Sequence, residues 1–521
     1  MHTIGMKKNE RRNKRLKMLQ NSQKWHSRRK IYLCRMVSFS SFFIVSMILI
    51  LTSNRKSQDF LFGRIFTFLK ISTNYHNNVQ ITKDFIGILL LLLILVLFLS
   101  VYFYLFEREF INSCNDMIAV STVLILNLLL VKFLIPIPAF AIPAFMGIVL
   151  ISLLIDVRIA IVINIVVSII TLLVVGDKNF DFALYLFIGG SLSSIVSHKI
   201  QSRIQFISHG FLSSLISALF VLAIELVYQT DGEMILYNSI NSFVGTALSF
   251  VLAYGTLPIW EYIFDYATPI RLMELSNPNH PLLKRLLLEA PGTYHHSLIV
   301  GNLAEVACEA VGGNYLLARI GAYYHDIGKL KRPFYFKENQ IVEEDPHNKI
   351  SPTLSALIIT SHTKDGVEIG KEYKLPKQVL DIIRQHHGTT KVAFFYGKAL
   401  TQNQQVSEQK FRYEGPVPQS KEAAIVMLAD SVEAAVRALS SPTPQLIEST
   451  IRGIIYEKLM DGQLNSSSLT FKELETICES FIKVLTGVFH KRVSYNLVDD
   501  TTNKMEEVVS RSENYHSKSA G

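Results

Sequence analysis

Hydrophobic and polar positions divide the chain into two parts with different periodicities. From about residue 31 to residue 264 apolar runs recur, each close to the roughly 20 residues that a helix needs to cross a bilayer. Beyond residue 265, apolar residues recur every three to four positions between charged ones, which is typical of amphipathic helices. The apolar runs predict eight membrane-spanning helices, over residues 31–52, 84–106, 117–135, 137–155, 158–176, 182–198, 207–228 and 238–263.

This pattern predicts an all-α protein, in which a polytopic helical membrane domain is followed by a cytoplasmic, all-helical domain. The final stretch is polar and without periodicity, so we expect a disordered tail. The expected segments are a basic N-terminal stretch, a first span, a short extracytoplasmic segment, a seven-helix membrane domain, a linker helix, a helical domain and the tail, over residues 1–30, 31–52, 53–83, 84–264, 265–290, 291–497 and 498–521.

Positive charge gives the expected orientation in the membrane. The 521 residues carry a formal net charge of +9, and residues 7–30 contain a dense run of lysine and arginine. A basic run can bind nucleic acid, but directly before an apolar segment it usually marks the cytoplasmic flank of a membrane helix. We therefore expect a multi-pass protein of the cell membrane, in contact with the lipid bilayer, with a cytoplasmic N-terminus. Nothing in the pattern predicts binding to duplex nucleic acid.

The second part of the chain contains an ordered series of histidines and aspartates. A single histidine on an apolar helix is usually a hydrogen-bonded core residue. Several residues of this series lie on apolar helical segments where each polar group needs a partner, and one shared metal centre would satisfy them all. The series comprises His296 in TYHHS, His325 and Asp326 in YHDIGK, His362 in ITSHTKDG, His386 and His387 in RQHHGT, and Asp430 in MLADSVEAA.

The residue types in this series favour a particular chemistry. Imidazoles and carboxylates together suit first-row divalent ions such as manganese or iron. Because Asp326 directly follows His325, one short helix could serve two ions, with the carboxylate of Asp326 bridging them. Two such ions clamp a phosphodiester and activate a water molecule. Lys329 lies one turn after His325, so it should face the same site and could neutralise phosphate charge.

At these positions the chain resembles the HD-domain superfamily of metal-dependent phosphohydrolases, with the order H…HD…H…HH…D. The membrane region, followed by PGTYHHSLIVGNLAE, AYYHDIGKLKRPFYFKENQ, IRQHHGTT and EGPVPQSKEAAIVMLADSVEAAVRA, narrows the resemblance to the seven-transmembrane HD family. It extends over roughly residues 84–490. The resemblance implies a bacterial membrane-bound phosphodiesterase that opens the second messenger cyclic di-AMP to linear pApA, with residues 291–497 as its HD phosphohydrolase domain.

The resemblance also implies two divalent metal ions, manganese or iron, and assigns their ligands. Carried over by position, the ligands of one ion would be His296, His325, Asp326 and Asp430. Those of the other would be Asp326, His362, His386 and His387. The choice of His296 over its neighbour His295 rests on the motif. Asp326 and Lys329 are the expected catalytic residues, and Lys329 and Arg437 the expected phosphate contacts, although a solvated helix face explains Arg437 equally well.

Two features separate the chain from relatives that cleave cyclic di-GMP. After His387 the sequence reads GTTKVAFFYG without a GYP motif, and Gly292 stands where trinuclear relatives carry a glutamate for a third metal. Both features favour two ions and disfavour cyclic di-GMP. The chain also departs from its own family, whose members typically carry a large extracytoplasmic domain after the first span. Here only residues 53–83 occupy that place, so an external sensor is missing or supplied by a partner.

Other functions stay open from the sequence. The same site could act on another nucleotide or on an oligonucleotide such as pApA, because no adenine-reading residue can be identified. Tyr323, Tyr324 and the aromatic run 394–396 could stack a base, yet such residues are more often core. The chain could instead be a non-catalytic, nucleotide-binding membrane receptor. No dimer interface is marked, so a homodimer also stays open.

A transporter is the least favoured alternative, because the predicted spans contain few charged residues. Glu225 interrupts the apolar run FVLAIELVY, and an ionisable residue within a span is a functional candidate. Its place near the outer end of the span suits simple contact with the membrane interface at least as well.

Overall fold

The computed structural model describes residues 31, 33–50, 52, 75–175, 180–198, 200–340, 345–402 and 406–488. The elements in these ranges are helices, and the β-type pairing among them is one isolated bridge between Lys391 and Arg412. The predicted all-α fold class is therefore confirmed. The expected basic segment 1–30, residues 53–74 of the expected extracytoplasmic segment and the expected tail 498–521 lie outside the described residues.

The chain forms two compact units, Met1–His280 and Pro281–Gly521. The α-helices of the first unit are α1 (Leu33–Ile50), α2 (Tyr75–Phe106), α3 (Arg108–Asn112), α4 (Cys114–Phe133), α5 (Met146–Leu154), α6 (Val157–Val175), α7 (Phe180–Ser197), α8 (Arg203–Val227), α9 (Gly232–Phe264) and α10 (Pro269–Leu275). Those of the second unit are α11 (Pro281–Glu289), α12 (Pro291–Ala310), α13 (Tyr315–Tyr324), α14 (Pro352–Glu372), α15 (Lys377–Gln385), α16 (Ala393–Thr401), α17 (Lys421–Arg437), α18 (Pro444–Met460) and α19 (Phe471–Val488).

The first unit is built from helices that suit a bilayer. Six of the described helices are long and apolar enough to cross a membrane: α1, α2 from Phe85 onward, α4, α6, α8 and α9. Two further apolar segments, Ala139–Leu154 and Asp181–Ser197, are shorter. The protein is therefore a multi-pass membrane protein, while the expected number of crossings stays a prediction.

The expected span 137–155 is the clearest difference between the sequence pattern and the structure. In place of one long helix, the structure has a 3-10 turn, Ala139–Ala141, followed by the short helix α5. Proline lacks an N–H donor and restricts the residue before it, so Pro136, Pro138 and Pro143 prevent a continuous helix here.

Asn127 on α4 satisfies the backbone groups that this break exposes. Its side-chain N–H donates to the Ala144 carbonyl at 3.1 Å, and its side-chain oxygen accepts from the Gly147 N–H at 3.0 Å. The Phe145 N–H donates to the Ser249 hydroxyl of α9 at 3.2 Å. Inside a bilayer no water can replace such partners, so these buried side chains make the irregular segment possible.

Glu225 lies within the first unit and not at its surface. Its side chain is 1 % exposed, and its Oε1 accepts a hydrogen bond of 2.6 Å from the Asn238 amide of α9. The carboxyl group joins α8 to α9. The expected contact of Glu225 with the membrane interface stays a prediction.

The second unit has its own core around α17. Residues Ala423–Ala429 of this helix are all buried, which explains why the sequence AAIVMLA has no polar face. Helices α12, α13, α15 and α18 pack against α17, and α19 packs against α12 and α18. Beyond Ala429, Asp430 and Glu433 are also buried, whereas Arg437 is exposed.

We predict that Asn127→Leu destabilises the first unit. The substitution leaves the Ala144 carbonyl and the Gly147 N–H without their partner, which costs about 1–3 kcal/mol for an unsatisfied buried group. The measurement is the thermal unfolding midpoint of the purified chain in detergent. Thr122→Val, on a more exposed position of α4, is the matched control, and equal midpoints for the two variants would contradict the role of Asn127.

Candidate metal centre

The predicted ligands come from separate helices that meet inside the second unit. His296 lies in the second turn of α12, and Asp430 lies in the C-terminal half of α17. His325 ends α13 and is followed by Asp326, which begins the 3-10 turn Ile327–Lys331. The remaining ligands are His362 in α14, and His386 and His387 directly after α15.

One close approach of backbone to backbone brings Asp326 to His362. The 3-10 turn after Asp326 packs against α14, and a Cβ atom at Gly328 would lie 1.8 Å from the His362 carbonyl oxygen. Only glycine fits at that distance. The glycine of the YHDIGK motif therefore allows two ligand-bearing segments to come together.

The structure brings all seven predicted ligands together. Their ligand atoms form three overlapping groups, and within each group the atoms lie within 4.8 Å of one another. The groups are Asp326, His362, His386 and His387; then His296, His325 and Asp326; then His325, His386 and Asp430. Asp326 belongs to two groups, as a bridging carboxylate would. The exposed His295 lies outside them, so the geometry favours His296 of the two neighbours.

Three of the imidazoles are oriented by their own helices. The Nδ1 atoms contact carbonyl oxygens three residues upstream: His325 to Ala322 at 2.6 Å, His362 to Ile359 at 2.6 Å, and His386 to Ile383 at 2.8 Å. A carbonyl oxygen only accepts, so each Nδ1 must donate its proton. The Nε2 lone pair of each ring is then left for a metal ion.

Two buried polar atoms test whether a cation fits. Among the described residues, His325 Nε2 and Asp326 Oδ1 have no hydrogen-bond partner, and both side chains are buried. An unsatisfied buried group costs about 1–3 kcal/mol, so natural proteins rarely leave two of them side by side. A divalent cation would satisfy both atoms. The cluster therefore has the donor set and the geometry to hold divalent metal.

The electrostatics of the cluster also suit a cation. Burial and the neighbouring His325 and His362 lower the pKa of His386 to about 3, and burial also lowers the pKa of His362 and of His387. Burial alone would lower the pKa of His325, but Asp326 and the second carboxylate raise it to about 10. The imidazoles of His362, His386 and His387 are thus neutral, as metal ligands must be, and the carboxylates that raise the pKa of His325 favour a cation at the centre.

The two aspartates are ionised despite their burial. Burial would raise the pKa of the Asp326 carboxyl group, but His325 and Lys329 hold it well below its usual range. The histidines around Asp430 likewise outweigh its burial and hold its pKa well below normal. Both carboxylates can therefore bind a cation without losing a proton.

Lys329 is held between two carboxylates. Its Nζ lies 2.6 Å from Asp326 Oδ2 and 2.6 Å from Glu338 Oε1. Burial would lower the pKa of Lys329, but these two carboxylates raise it, so the side chain is charged. Glu338 is a site residue that sequence reasoning missed, because it lies nine residues after Lys329 in a separate 3-10 turn, Lys337–Asn339, and only the fold brings the two side chains together.

The position of Glu338 explains the glycine that replaces a third-metal glutamate. A Cβ atom at Gly292 would lie 1.9 Å from the Glu338 backbone carbonyl oxygen. The turn that presents Glu338 to Lys329 therefore fills the space that a larger residue at position 292 would need.

Arg437 and His296 share a second missed residue, Glu433. The His296 ring contacts Glu433 Oε2 through Nδ1 at 2.5 Å and Asp430 Oδ1 through Nε2 at 3.0 Å. Arg437 Nη1 donates to Glu433 Oε1 at 3.1 Å. Glu433 is 3 % exposed. Its place three residues after Asp430, on the same face of a buried helix, was the available signal in the sequence.

A cavity of about 330 Å³ opens onto the cluster. His296, His387 and Asp430 reach it from the predicted ligand set, and Lys329 and Arg437 line it as well. It is also lined by Glu338, Thr390, Lys391, Val392, Tyr413 and Lys458.

The aromatic residue at this cavity is one that the sequence did not single out. Tyr413 packs against His387 with ring centroids 4.4 Å apart. The suggested base-stacking residues Tyr323 and Tyr324 are instead buried and do not line the cavity.

Comparisons with known proteins match both parts of the chain. The family described as a 7TM receptor with intracellular HD hydrolase matches residues 83–268, and the HD domain matches residues 293–435. Cyclic-di-AMP phosphodiesterase PgpH of Bacillus subtilis is 41 % identical over 442 residues, which covers 81 % of this chain and 62 % of the relative. Residues 83–268 and 293–435 thus match the membrane part and the hydrolase part of that description.

A second relative and one solved structure are also similar to this chain. Cyclic-di-AMP phosphodiesterase PgpH of Listeria monocytogenes is 40 % identical, over 68 % of this chain and 50 % of the relative. The chain thus spans between half and about three fifths of the length of these two relatives. The crystal structure of the Listeria PgpH HD domain in complex with cyclic-di-AMP is 50 % identical, with a TM-score of 0.40, over 41 % of this chain and 100 % of that one.

We predict that Glu433→Gln weakens metal binding. The carboxylate accepts the Nδ1 proton of His296 and so directs Nε2 toward the cluster, and losing such a partner typically costs about 10–100-fold in metal affinity. The measurement is metal content after dialysis, together with affinity by chelator competition. Glu305→Gln, which removes a partly exposed partner of Arg319, is the matched control. Equal metal affinities for the two variants would show that Glu433 does not position the ligand.

Proposed function

We propose that the protein is a membrane-bound, two-metal phosphodiesterase that hydrolyses cyclic di-AMP to pApA. The observation that carries the proposal is the buried cluster in which two groups of ligands share Asp326. It lies beside a cavity lined by Lys329 and Arg437, which suits a substrate with phosphate groups. Two relatives with sequence similarity across both units are named cyclic-di-AMP phosphodiesterase, which supports the choice of substrate.

The residues that would hold the two ions are those assigned by the ligand series. One ion would be bound by His296, His325, Asp326 and Asp430. The other would be bound by Asp326, His362, His386 and His387. Two divalent ions supply Lewis-acid charge to a phosphodiester and lower the pKa of a bound water molecule. Nitrogen and carboxylate donors together favour manganese or iron over magnesium or calcium.

The chain's own residues bind and orient the substrate in this proposal. Lys329 fixes the Asp326 carboxylate with one contact and presents a buried positive charge to the cavity. Arg437 lies at the edge of the cavity, where its guanidinium group can contact a phosphate while it keeps its bond to Glu433. Addition of water to one phosphorus atom breaks a bond to a 3′ oxygen, which leaves a 5′ phosphate and a free 3′ hydroxyl, as in pApA.

Our proposal places the second unit in the cytoplasm of a bacterial cell, where a second messenger is available. The basic run in residues 7–30 supports a cytoplasmic N-terminus, and an even number of crossings returns the chain to the same side. The membrane unit would localise or regulate the enzyme. All seven expected ligands come from one chain, so a homodimer is not required to complete the site.

We predict that Asp326→Asn abolishes hydrolysis of cyclic di-AMP by the full-length chain in detergent. Loss of the shared carboxylate removes several kcal/mol of charge stabilisation, which corresponds to roughly 10³-fold in rate. The assay compares cyclic di-AMP, cyclic di-GMP and pApA in the presence of manganese. Asp365→Asn, which removes a surface ion pair with Lys331, is the matched control.

The substrate panel separates the proposed function from its alternatives. Consumption of cyclic di-AMP with accumulation of pApA, lost in Asp326→Asn, is the expected result. Preferential cleavage of pApA or cyclic di-GMP would keep the site and overturn the substrate. Metal-loaded protein that cleaves none of the three would instead favour a nucleotide-binding receptor.

We also predict strict dependence on a transition-metal ion. A chelator should remove activity, and manganese or iron should restore it, because imidazoles and a shared carboxylate bind such ions better than they bind magnesium. The measurement is initial rate after dialysis against chelator and addition of each ion. Full activity in the chelated protein would contradict metal catalysis.

A further inference from the structure

Two lysines line the cavity without belonging to the predicted site. Lys391 and Lys458 share its wall with His387 and Tyr413. Neither residue belongs to the predicted ligand series. Among the described ion pairs, neither lysine pairs with Asp326 or Asp430. Their ammonium groups therefore add positive charge to the cavity beyond that of the metal centre and of Lys329.

The backbone around Lys391 is fixed by pairing with a second segment. Lys391 and Arg412 form an isolated antiparallel bridge. On one side the Val392 N–H donates to the Phe411 carbonyl at 2.8 Å, and on the other the Tyr413 N–H donates to the Thr390 carbonyl at 3.0 Å. The lysine is thereby held four residues after the ligand His387, in a geometry that does not depend on its own side chain.

The side chain of Lys391 is placed but only weakly neutralised. Its Nζ lies 4.9 Å from the centre of the Tyr396 ring and 3.7 Å from Glu408 Oε2. Glu408 is itself shared with Arg412, which contacts Glu408 Oε1 at 2.8 Å. Lys391 thus competes with an arginine for one half-exposed carboxylate, so much of its charge remains available to an anion.

Lys458 is tied to the same loop from the opposite side. The Gln463 N–H donates to the Lys458 carbonyl at 3.0 Å. The Gln463 side chain accepts from the Thr389 N–H at 2.9 Å and donates to the Thr389 hydroxyl at 3.0 Å. Gln463 therefore connects the last turn of α18 to the loop that follows His387.

The ammonium group of Lys458 has no ion pair within the part of the chain that the structure describes. The helix dipole stabilises a lysine in the last turn of a helix, and such a lysine is usually exposed to solvent. Lys458 is instead half-buried and lines the cavity beside Lys391. The two lysines thus place two positively charged side chains at the lining of this cavity.

A cyclic dinucleotide needs such a charge. It carries two phosphodiester groups on opposite sides of one ring, and only one of them can lie on the metal centre during a single cleavage. The acidic residues of the cavity, Glu338 and Asp430, lie on the metal side with Lys329. The second phosphodiester would then meet the wall that carries Lys391 and Lys458, where charge-assisted hydrogen bonds are strong.

We propose that Lys391 and Lys458 form an anion subsite for the phosphodiester of a cyclic dinucleotide that is not being cleaved. This inference rests on the proposed function for the choice of substrate. It adds that the chain binds a ring with two phosphodiesters more tightly than a substrate with one. The two lysines would provide this extra affinity.

The test compares two substrates on the full-length chain in detergent with manganese. Cyclic di-AMP has both phosphodiesters, whereas bis(p-nitrophenyl) phosphate has one and reports the metal centre alone. We expect Lys391→Gln and Lys458→Gln each to raise KM for cyclic di-AMP roughly tenfold, as loss of a hydrogen bond to a charged group does. Turnover of bis(p-nitrophenyl) phosphate should stay within about twofold of the parent chain, because its single phosphate lies on the metals.

Matched variants separate charge from fold. Lys391→Arg and Lys458→Arg keep the positive charge and should retain most of the affinity for cyclic di-AMP. Lys472→Gln removes an exposed lysine of α19 that does not line the cavity, and it should change neither substrate.

A binding measurement tests the subsite without turnover. Chelated full-length protein should bind radiolabelled cyclic di-AMP more weakly in the glutamine variants than in the parent chain. If bound ligand is unchanged in both variants, or if both substrates lose turnover equally, the proposed subsite is wrong. If the parent chain binds cyclic di-AMP through the lysines but does not hydrolyse it, the subsite stands and the proposed function fails.

Discussion

The buried carboxylate of Asp326 is the group around which the second unit is organised. It is ionised in a closed interior, which is unfavourable unless opposite charge and hydrogen-bond donors surround it. Lys329 Nζ provides one fixed positive charge, 2.6 Å from Asp326 Oδ2. Imidazoles of the two ligand groups that contain Asp326 supply the other neighbours of this carboxylate. The helices that carry those imidazoles must therefore converge on one point. This convergence requires a small residue where two backbone segments come close together. Gly328 is the clearest case, because any side chain there would collide with the His362 carbonyl.

Much of the site could be predicted because its signal is local in the sequence. The seven ligands occur in short motifs, and several of these place a polar group on a segment that is otherwise apolar, as AAIVMLAD does before Asp430. The fold class followed from periodicity for the same reason. Glu338 and Glu433 could not be assigned, because their roles arise from contacts with Lys329 and His296 that only the folded chain creates.

The membrane unit shows the opposite limit of sequence reasoning. Hydropathy identifies where apolar segments lie, but it does not say where a helix breaks inside one of them. Three prolines prevent a continuous helix between α4 and α5, yet the shape of the break depends on Asn127, which lies within α4 before the prolines. The satisfaction of backbone groups by a distant side chain has no periodicity, so it is invisible to patterns of hydrophobic residues.

The two predicted ion positions differ in how their ligands are oriented. On one side, His362 and His386 donate to carbonyls of their own helices, so their ring orientation is set as soon as those helices form. On the other side, His296 depends on Glu433, which reaches it only when α12 packs against α17. A displacement between these two helices would therefore disturb one position while leaving the other intact. Arg437 donates to the same glutamate and lines the cavity. The same displacement would therefore also move a side chain that lines the proposed substrate cavity.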